Sequence, residues 1–298
     1  MSTRPLTDLP SDPLRLAVLQ AEATPADVRN NSVRAATLVR EAARRGARVA
    51  VLPELHLCGY DLPTLASDPS ACEVIADDAG TVTDGRLDAL AEQAEATGTL
   101  VLAGAAVRRA DGRLVNSILG FDPSGTVRLG YDKQHLWHSD EAEIFAAGLG
   151  GDGLWEVDGW RLGGAICYDM SFAAHAGASA LSGVHAYVCA SAFVVGAEKR
   201  AAVYMPARAL ENTIYSVFAN AYGGPVDRRT GGASAIYGPD GSLVDIATAD
   251  GEQVLVGELE PQRIASTRSF LRMLEERSRT TVEPEVGLED QDLCPMGV

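Results

Sequence analysis

The chain has 298 residues, enough for one large domain or two, and 46% of them are hydrophobic, as is typical of a globular protein with a large core. Acidic residues outnumber basic ones by 41 to 25, so a net charge of −16 disfavours nucleic acid or an anionic membrane as partner. The sequence contains neither a hydrophobic run long enough to span a membrane nor a signal peptide. Five widely spaced cysteines without a Cys-x-x-Cys pair favour a reducing, cytoplasmic setting.

The first half of the chain alternates apolar strands with amphipathic helices. Its predicted strands cover residues 14–19, 48–52, 99–107, 116–121 and 126–131. One predicted helix begins with Thr24 as N-cap and Pro25 as first residue and ends near Arg45, and a second covers 85–96. Segments 59–63 and 138–153 are predicted as loops.

The second half repeats this pattern. Its predicted strands cover residues 160–166, 186–190, 214–221, 234–237, 242–247 and 252–259. Its predicted helices cover residues 172–182, 198–212 and 261–277. Both halves contain a hairpin with a proline in its turn, at Asp122-Pro-Ser-Gly125 and at Gly238-Pro-Asp-Gly241. The alternation predicts an α/β fold in which helices cover sheets, built as one domain of two similar halves. We expect a flexible arm over residues 1–13, a domain over 14–275 and an acidic tail over 276–298.

Three reactive side chains follow predicted strands. Cys167 ends the buried strand 160–166, Glu54 follows the second strand and Pro53, and Lys133 follows the hairpin. In parallel α/β sheets the carboxyl ends of strands meet at one edge, where sites form. A thiol, a carboxylate and an ammonium at that edge can hydrolyse an acyl compound. Glu54 would take the thiol proton, and Lys133 would lower the pKa of the thiol and stabilise the oxyanion, together with a backbone N–H after Cys167.

Around these residues the sequence resembles the nitrilase superfamily of carbon–nitrogen hydrolases, over about residues 14–275. The matching segments are Leu52-Pro53-Glu54, Asn116-Ser117, Tyr131-Asp-Lys133-Gln-His135-Leu136, Phe145 with Gly148, Gly164-Ala-Ile-Cys167-Tyr-Asp169, Arg208-Ala-Leu-Glu211-Asn, Asn220 and Gly232-Ala-Ser-Ala-Ile-Tyr-Gly-Pro-Asp-Gly241. The resemblance implies an αββα sandwich with two pseudo-symmetric halves, assembled as a homodimer or a larger homo-oligomer.

The resemblance also implies a Glu–Lys–Cys triad, carried here by Glu54, Lys133 and Cys167. It implies a second glutamate four residues before the aromatic of a Phe-x-x-Gly segment. With Phe145 as that aromatic the residue is Glu141, and Glu143 is the alternative. The implied reaction converts a small-molecule amide to an acid and ammonia through a thioester on the cysteine, and it needs no metal or organic cofactor.

The segment after the cysteine departs from the family pattern. Many relatives have Tyr-Asp-x-Arg-Phe-Pro-Glu, whereas this chain has Tyr168-Asp-Met-Ser-Phe-Ala-Ala174, which lacks the arginine and the Pro-Glu pair. The substrate therefore stays open. We expect four aromatic residues to form apolar walls of its pocket, namely Tyr60, Trp137, Tyr168 and Phe193.

Other functions stay open at this point. The same triad would suit an N-carbamoyl hydrolase or a nitrilase, and a binding protein that keeps the fold is a further alternative. Gly148-Leu-Gly-Gly-Asp-Gly153 matches a dinucleotide fingerprint but precedes a strand instead of opening a helix. His56, His135 and His138 lack a standard zinc spacing, and we expect His135 to brace the lysine loop.

Overall fold

The structure is a computed structural model that describes residues 8–150, 153–248 and 250–279, except for the side chain of Asp227. The strands are β1 (Leu14–Gln20), β2 (Val49–Val51), β3 (Glu73–Ile75), β4 (Leu100–Arg108), β5 (Leu114–Phe121), β6 (Val127–Asp132), β7 (Leu154–Val157), β8 (Trp160–Ile166), β9 (Ala186–Ser191), β10 (Tyr215–Asn220), β11 (Tyr222–Gly223), β12 (Thr230–Gly231), β13 (Ala235–Tyr237), β14 (Leu243–Ile246) and β15 (Gln253–Leu259). The α-helices are α1 (Val28–Arg44), α2 (Leu62–Ser67), α3 (Asp88–Thr97), α4 (Asp140–Ile144), α5 (Ala173–Leu181), α6 (Glu198–Asn212), α7 (Pro261–Phe270) and α8 (Met273–Arg279). Short 3₁₀ helices cover His56–Cys58, Pro69–Ala71, Cys167–Ser171 and Val226–Arg228.

Two large sheets form the centre of the molecule. The first has the order β15-β1-β2-β4-β5-β6, with β3 paired to β4, and the second has the order β14-β13-β10-β9-β8-β7. In the first sheet β1, β2 and β4 are parallel, and in the second β8, β9 and β10 are parallel. The carboxyl ends of these strands therefore bring their following loops together at the edges of the two sheets.

Apolar side chains fill three layers of core. The sheets pack against each other through alternate strand residues, including Leu16, Val18, Leu162, Val188 and Val217. Helices α1 and α3 cover the outer face of the first sheet, and α5 and α6 cover the outer face of the second. This is the αββα sandwich that the resemblance implied, and burial of its apolar faces is what stabilises it.

The two halves of the chain repeat one another, as the paired hairpins predicted. Strands β1, β2, β4, β5 and β6 follow one another through two parallel and then two antiparallel pairings. Strands β8, β9, β10, β13 and β14 repeat that order of pairings. An antiparallel strand flanks each unit, β15 beside β1 and β7 beside β8.

The structure corrects several predicted helix limits. Helix α1 begins at Val28 with Asp27 as its cap, because Ala26 has a positive φ of 52° and the chain at Thr24 and Pro25 is not helical. Helix α3 begins at Asp88, three residues after the predicted start. The helix predicted over 261–277 is two helices, because the backbone of Leu271 is extended between α7 and α8.

The two predicted loops also contain helices. Asp61 caps α2 through a bond from Thr64 N to its carboxylate at 3.2 Å, so the loop over 59–63 ends in a helix. Helix α4 interrupts the segment 138–153, of which residues 151 and 152 lie outside the described part of the chain. Polar composition does not distinguish a loop from a helix as short as α4.

The segments at the ends of the chain are described only in part. Residues 1–7 of the predicted arm lie outside the described residues. From Asp8 onward the arm lies against β8, where Trp160 Nε1 donates to Asp12 O at 2.9 Å and Arg161 Nη2 donates to Asp8 O at 3.1 Å. The acidic tail is described only as far as residue 279, at the end of α8.

Candidate active site

Lys133 lies at the centre of a buried cluster of charges. It directly follows β6, and its ammonium donates to Glu54 Oε1 and to both carboxylate oxygens of Glu141, each at 2.7 Å. The side chains of all three residues are 0–1% exposed. The structure thus brings the predicted base, the predicted lysine and the second glutamate into direct contact. The alternative, Glu143, is exposed, whereas Glu141 contacts the lysine.

Asn116 on β5 joins the two carboxylates. Its Nδ2 donates to Glu54 Oε1 at 2.9 Å and to Glu141 Oε1 at 2.7 Å. The backbone N–H of Trp137 adds a bond to Glu141 Oε2 at 2.7 Å. These donors offset the repulsion between the two buried carboxylates and fix their orientation. The sequence places Asn116 in a matching segment, but nothing in that segment indicates its bonds to two carboxylates.

The second oxygen of Glu54 is free. Its Oε2 is buried and has no hydrogen-bond partner among the described residues. Burial raises the pKa of Glu54 to about 7, and the Lys133 charge offsets only part of that rise. A carboxylate with a pKa near neutrality can both accept and return a proton, and Oε2 is the atom that can do so.

Cys167 is the first residue of the 3₁₀ helix that follows β8, and it has a positive φ of 45°. A non-glycine residue in this region is strained, and such strain often marks a site. Burial and the neighbouring Glu54 carboxylate raise the pKa of the thiol well above its ordinary value. The Lys133 charge lowers it, as expected, but the net direction is upward. The resting group is therefore a thiol, and a base must remove its proton before it can attack.

A buried network fixes the turn that carries Cys167. The carboxylate of Asp169 accepts from Tyr131 Oη at 2.6 Å and from Ile166 N at 3.0 Å. It also accepts from the backbone N of His135 at 2.9 Å and lies 2.8 Å from the ring Nδ1 of that residue. His135 therefore joins the lysine loop to the cysteine turn.

Arg208 on α6 supports the same turn through bonds to its backbone carbonyls. Its guanidinium donates to Met170 O at 2.8 Å and to Ser171 O at 3.1 Å, and it pairs with Glu211 at 2.9 Å. Segment 168–174 lacks the arginine of the family pattern, but an arginine from another helix contacts its backbone.

The four predicted aromatic walls fall into two groups. Tyr60 lines a cavity of about 110 Å³ beside Glu54. Trp137 and Tyr168 contact each other edge to face, with ring centroids 5.0 Å apart. The Arg200 guanidinium carbon lies 5.4 Å from the Trp137 ring and 5.2 Å from the Phe193 ring. Trp137 and Phe193 therefore both contact Arg200, and Tyr168 joins them through its contact with Trp137.

Comparison with known proteins identifies the family. The sequence model of the family described as "Carbon-nitrogen hydrolase" matches residues 15–269. The chain belongs to the carbon–nitrogen hydrolases. This match confirms the family resemblance that the sequence motifs indicated.

Relatives of this carbon–nitrogen hydrolase carry different activity names. A protein described as "Hydrolase in pqqF 5'region" from Pseudomonas protegens is 33% identical, with 89% of each chain covered. A protein named "Nitrilase" from Pyrococcus abyssi is 30% identical, covering 80% of this chain and 86% of its own. "Omega-amidase NIT2" from Danio rerio is 27% identical, covering 88% and 94%. The solved structure of Saccharomyces cerevisiae Nit3, of the nitrilase superfamily, superposes with a TM-score of 0.80 at 23% identity, covering 93% of this chain and 99% of that one.

Across residues 8–150, 153–248 and 250–279, no group of His, Cys, Asp and Glu side chains is arranged to hold a metal ion. In the same residues, no helix combines the length and the apolar character that crossing a bilayer requires.

Proposed function

We propose that this enzyme hydrolyses the C–N bond of a small carboxamide, giving a carboxylic acid and ammonia through a thioester on Cys167. The observation that carries the proposal is the buried cluster of Glu54, Lys133 and Glu141 next to a strained, protonated cysteine. Glu54 keeps one oxygen free and has a pKa of about 7, so it is suited to move protons in both directions.

In the first half of the reaction Glu54 Oε2 accepts the proton of the Cys167 thiol. The thiolate attacks the amide carbon, and the carbonyl oxygen becomes an oxyanion held by Lys133 Nζ and by the backbone N–H of Tyr168. Glu54 then returns its proton to the nitrogen. The C–N bond breaks, ammonia leaves, and the acyl group stays on sulfur as a thioester.

In the second half a water molecule gives a proton to Glu54 and attacks the thioester carbon. The new oxyanion collapses, the C–S bond breaks, and the acid is released. The proton on Glu54 returns to the Cys167 sulfur, so the resting enzyme is restored with one water consumed.

In this mechanism Glu141 and Asn116 act by positioning. Three contacts of 2.7 Å to two carboxylates fix the direction of the Lys133 ammonium, and burial strengthens its interaction with an oxyanion. Most of the acceleration then comes from fixed positions and from oxyanion stabilisation.

A second candidate is hydrolysis of a nitrile to an acid and ammonia, which consumes two waters. Similarity to the protein named "Nitrilase" favours it, and the same thioester would form. An N-carbamoyl substrate would give carbon dioxide together with ammonia.

The test is ammonia release from a panel of short amides, nitriles and N-carbamoyl compounds. Wild type should release ammonia from an amide, Cys167→Ala should release none, and Cys72→Ala, which removes a buried thiol outside the cluster, should match wild type. Mass spectrometry of rapidly quenched enzyme should show the acyl group on Cys167. Ammonia release by Cys167→Ala would contradict the proposal. Ammonia release from nitriles alone would favour the second candidate, nitrile hydrolysis.

A further inference from the structure

A buried histidine that the proposed chemistry does not use joins the network that fixes the cysteine turn. His175 is the third residue of α5, directly after the segment 168–174 that departs from the family pattern, and it is 9% exposed. Its ring contacts two phenols, with Nε2 2.8 Å from Tyr131 Oη and Nδ1 2.9 Å from Tyr187 Oη. Both tyrosines are buried as well. Each ring nitrogen of His175 therefore has a buried hydroxyl as its partner.

The contacts of Tyr131 decide which nitrogen of His175 carries the proton. Burial alone would raise the pKa of Asp169, but its hydrogen-bond donors, led by His135, lower it overall, so the carboxylate is ionised and only accepts. The hydroxyl proton of Tyr131 therefore lies on the 2.6 Å contact to Asp169 Oδ2. Because a hydroxyl has a single proton, Tyr131 Oη must accept from His175, and Nε2 is the donor.

The same reasoning fixes the other side of the imidazole. Burial lowers the pKa of His175, although the Asp169 charge acts in the opposite direction, so the ring is neutral near pH 7. A neutral ring with its proton on Nε2 has an acceptor at Nδ1, to which Tyr187 Oη donates. Every hydrogen bond in this chain of groups then has one donor and one acceptor. With the proton on Nδ1 instead, one of the two contacts of Tyr131 would join two acceptors.

The carboxylate at the end of this chain holds the residue before the nucleophile. Asp169 Oδ2 also accepts from Ile166 N at 3.0 Å, which closes the turn around Cys167. Cys167 has a φ of 45°, a strained conformation that persists only where neighbouring contacts hold it. A donor to Tyr131 Oη polarises its O–H toward the carboxylate and strengthens that bond. His175 can therefore act on the nucleophile without touching it.

We propose that His175 is a positioning residue for the hydrolysis. With its proton on Nε2 it directs the Tyr131 hydroxyl to Asp169, and that carboxylate holds the turn that carries Cys167. The inference rests on the proposed function, because it treats Cys167 as the nucleophile. Leucine in place of His175 would leave the Tyr187 hydroxyl without its acceptor and Tyr131 Oη without its donor. Glutamine would keep both an N–H and an acceptor oxygen.

The kinetic test uses the amide that wild type hydrolyses fastest in the panel of short amides. His175→Leu should lower kcat at least about tenfold and change KM less than about threefold, because the turn moves while substrate contacts stay. His175→Gln should keep a kcat at least about three times that of the leucine variant. An unchanged kcat in His175→Leu, or equal losses in the two variants, would overturn the proposal.

A second buried histidine provides the matched control. His185 accepts from Arg161 N at 3.1 Å, at the opposite end of β8 from Cys167. His185→Leu should lower Tm through the lost hydrogen bonds and keep kcat within about twofold of wild type. A fall in kcat as large as that of His175→Leu would show that loss of any buried histidine has this effect, and would overturn the proposal.

A double-variant cycle tests whether His175 acts through Tyr131. Tyr131→Phe removes only the hydroxyl that lies between His175 and Asp169. In that background His175→Leu should lower kcat by less than about threefold further, since the bond that it weakens is already gone. A second loss as large as the first would place the effect of His175 elsewhere and overturn the proposal.

Two measurements need no turnover, and the first needs no substituted protein for its result. In NMR spectra of wild type with ¹⁵N-labelled histidine, His175 should have a protonated Nε2 and an unprotonated Nδ1 at pH 7, and a protonated Nδ1 would overturn the proposal. Alkylation of Cys167 by iodoacetamide, followed by mass spectrometry of its peptide, should be slowed in His175→Leu by about the same factor as kcat.

These results separate the inference from the proposed function. Amide turnover by wild type, with kcat and alkylation unchanged in His175→Leu, would overturn the role of His175 and leave the function standing. The predicted tautomer and slower alkylation of Cys167 in His175→Leu, without turnover of any amide by wild type, would support the role and contradict the function.

Discussion

Replacing Lys133 with methionine should destabilise the fold as well as stop the reaction. The ammonium is the only cation in contact with Glu54 and Glu141 among the described residues, and the side chains of all three are 0–1% exposed. Lys133→Met keeps most of the side-chain volume, so the change removes charge and leaves little cavity. Two buried carboxylates would then share Asn116 as a common donor.

The magnitude follows from this burial. Breaking a buried ion pair by removing one partner costs roughly 3–5 kcal/mol, because an unpaired charge is left in a low-dielectric site. For a domain of this size class such a loss corresponds to a fall of roughly 6–20 °C in Tm. The double variant Lys133→Met/Glu141→Gln removes one of the two carboxylates. Its free energy of unfolding should be at least about 1 kcal/mol higher than that of Lys133→Met.

Urea unfolding at pH 8 and pH 5 measures the effect. Glu54 already has its pKa raised to about 7, and loss of Lys133 raises it further. An acid whose pKa is higher in the folded than in the unfolded state destabilises the fold at pH values above its unfolded-state pKa. This destabilisation decreases as the pH falls through the folded-state pKa. The difference between wild type and Lys133→Met should therefore be smaller at pH 5. Lys199→Met, at an exposed lysine of α6, is the matched control and should stay within about 0.5 kcal/mol of wild type.

The reasoning would be refuted if the free energies of unfolding of wild type and Lys133→Met differed by less than about 1 kcal/mol at pH 8. It would also be refuted if that difference did not become smaller at pH 5. It would mean that the carboxylates reach water or other donors when the lysine is absent.

Three further predictions concern activity. The kcat/KM profile should fall below a pKa of about 7, because protonated Glu54 cannot accept the thiol proton, and a profile that is flat from pH 5 to 8 would contradict this assignment. Asp169→Asn should lower kcat by about 10–100-fold with little change in KM, since it weakens the network under Cys167, and a change confined to KM would refute that role. Gly104→Ala should lower both kcat and Tm, because an added Cβ would lie 2.7 Å from Glu54 Cα; unchanged kinetics would show that the backbone moves aside without cost.

Much of the fold and the central cluster follow from local patterns. Apart from Arg161, the strand before Cys167 consists of apolar residues and glycine, and the structure buries every residue of β8. The sequence predicts Glu54 and Lys133 just after strands, and the structure places these strands, β2 and β6, in one sheet. The position of Glu141 came from family spacing, and its contact with Lys133 agrees with that choice.

The remaining features depend on tertiary contacts. From the sequence, His56 suggests only a metal ligand, because its lack of hydrogen-bond partners appears only in the folded chain. Arg208 supports the cysteine turn from 37 residues away along the chain, beyond any local pattern. The net rise in the thiol pKa likewise depends on how deeply the cluster is buried.

The repeated arrangement of strands has a consequence for how such a site can arise. Glu54 and Lys133 come from one repeat and Cys167 from the other, so neither repeat holds a complete set of reactive groups. Ala21 follows β1 where Cys167 follows β8, and the equivalent position in the first repeat therefore has no nucleophile. Two fragments divided between the repeats would each be inert, and hydrolysis would return only when their sheets pack together again. Turnover by this molecule therefore requires that its two sheets are packed together.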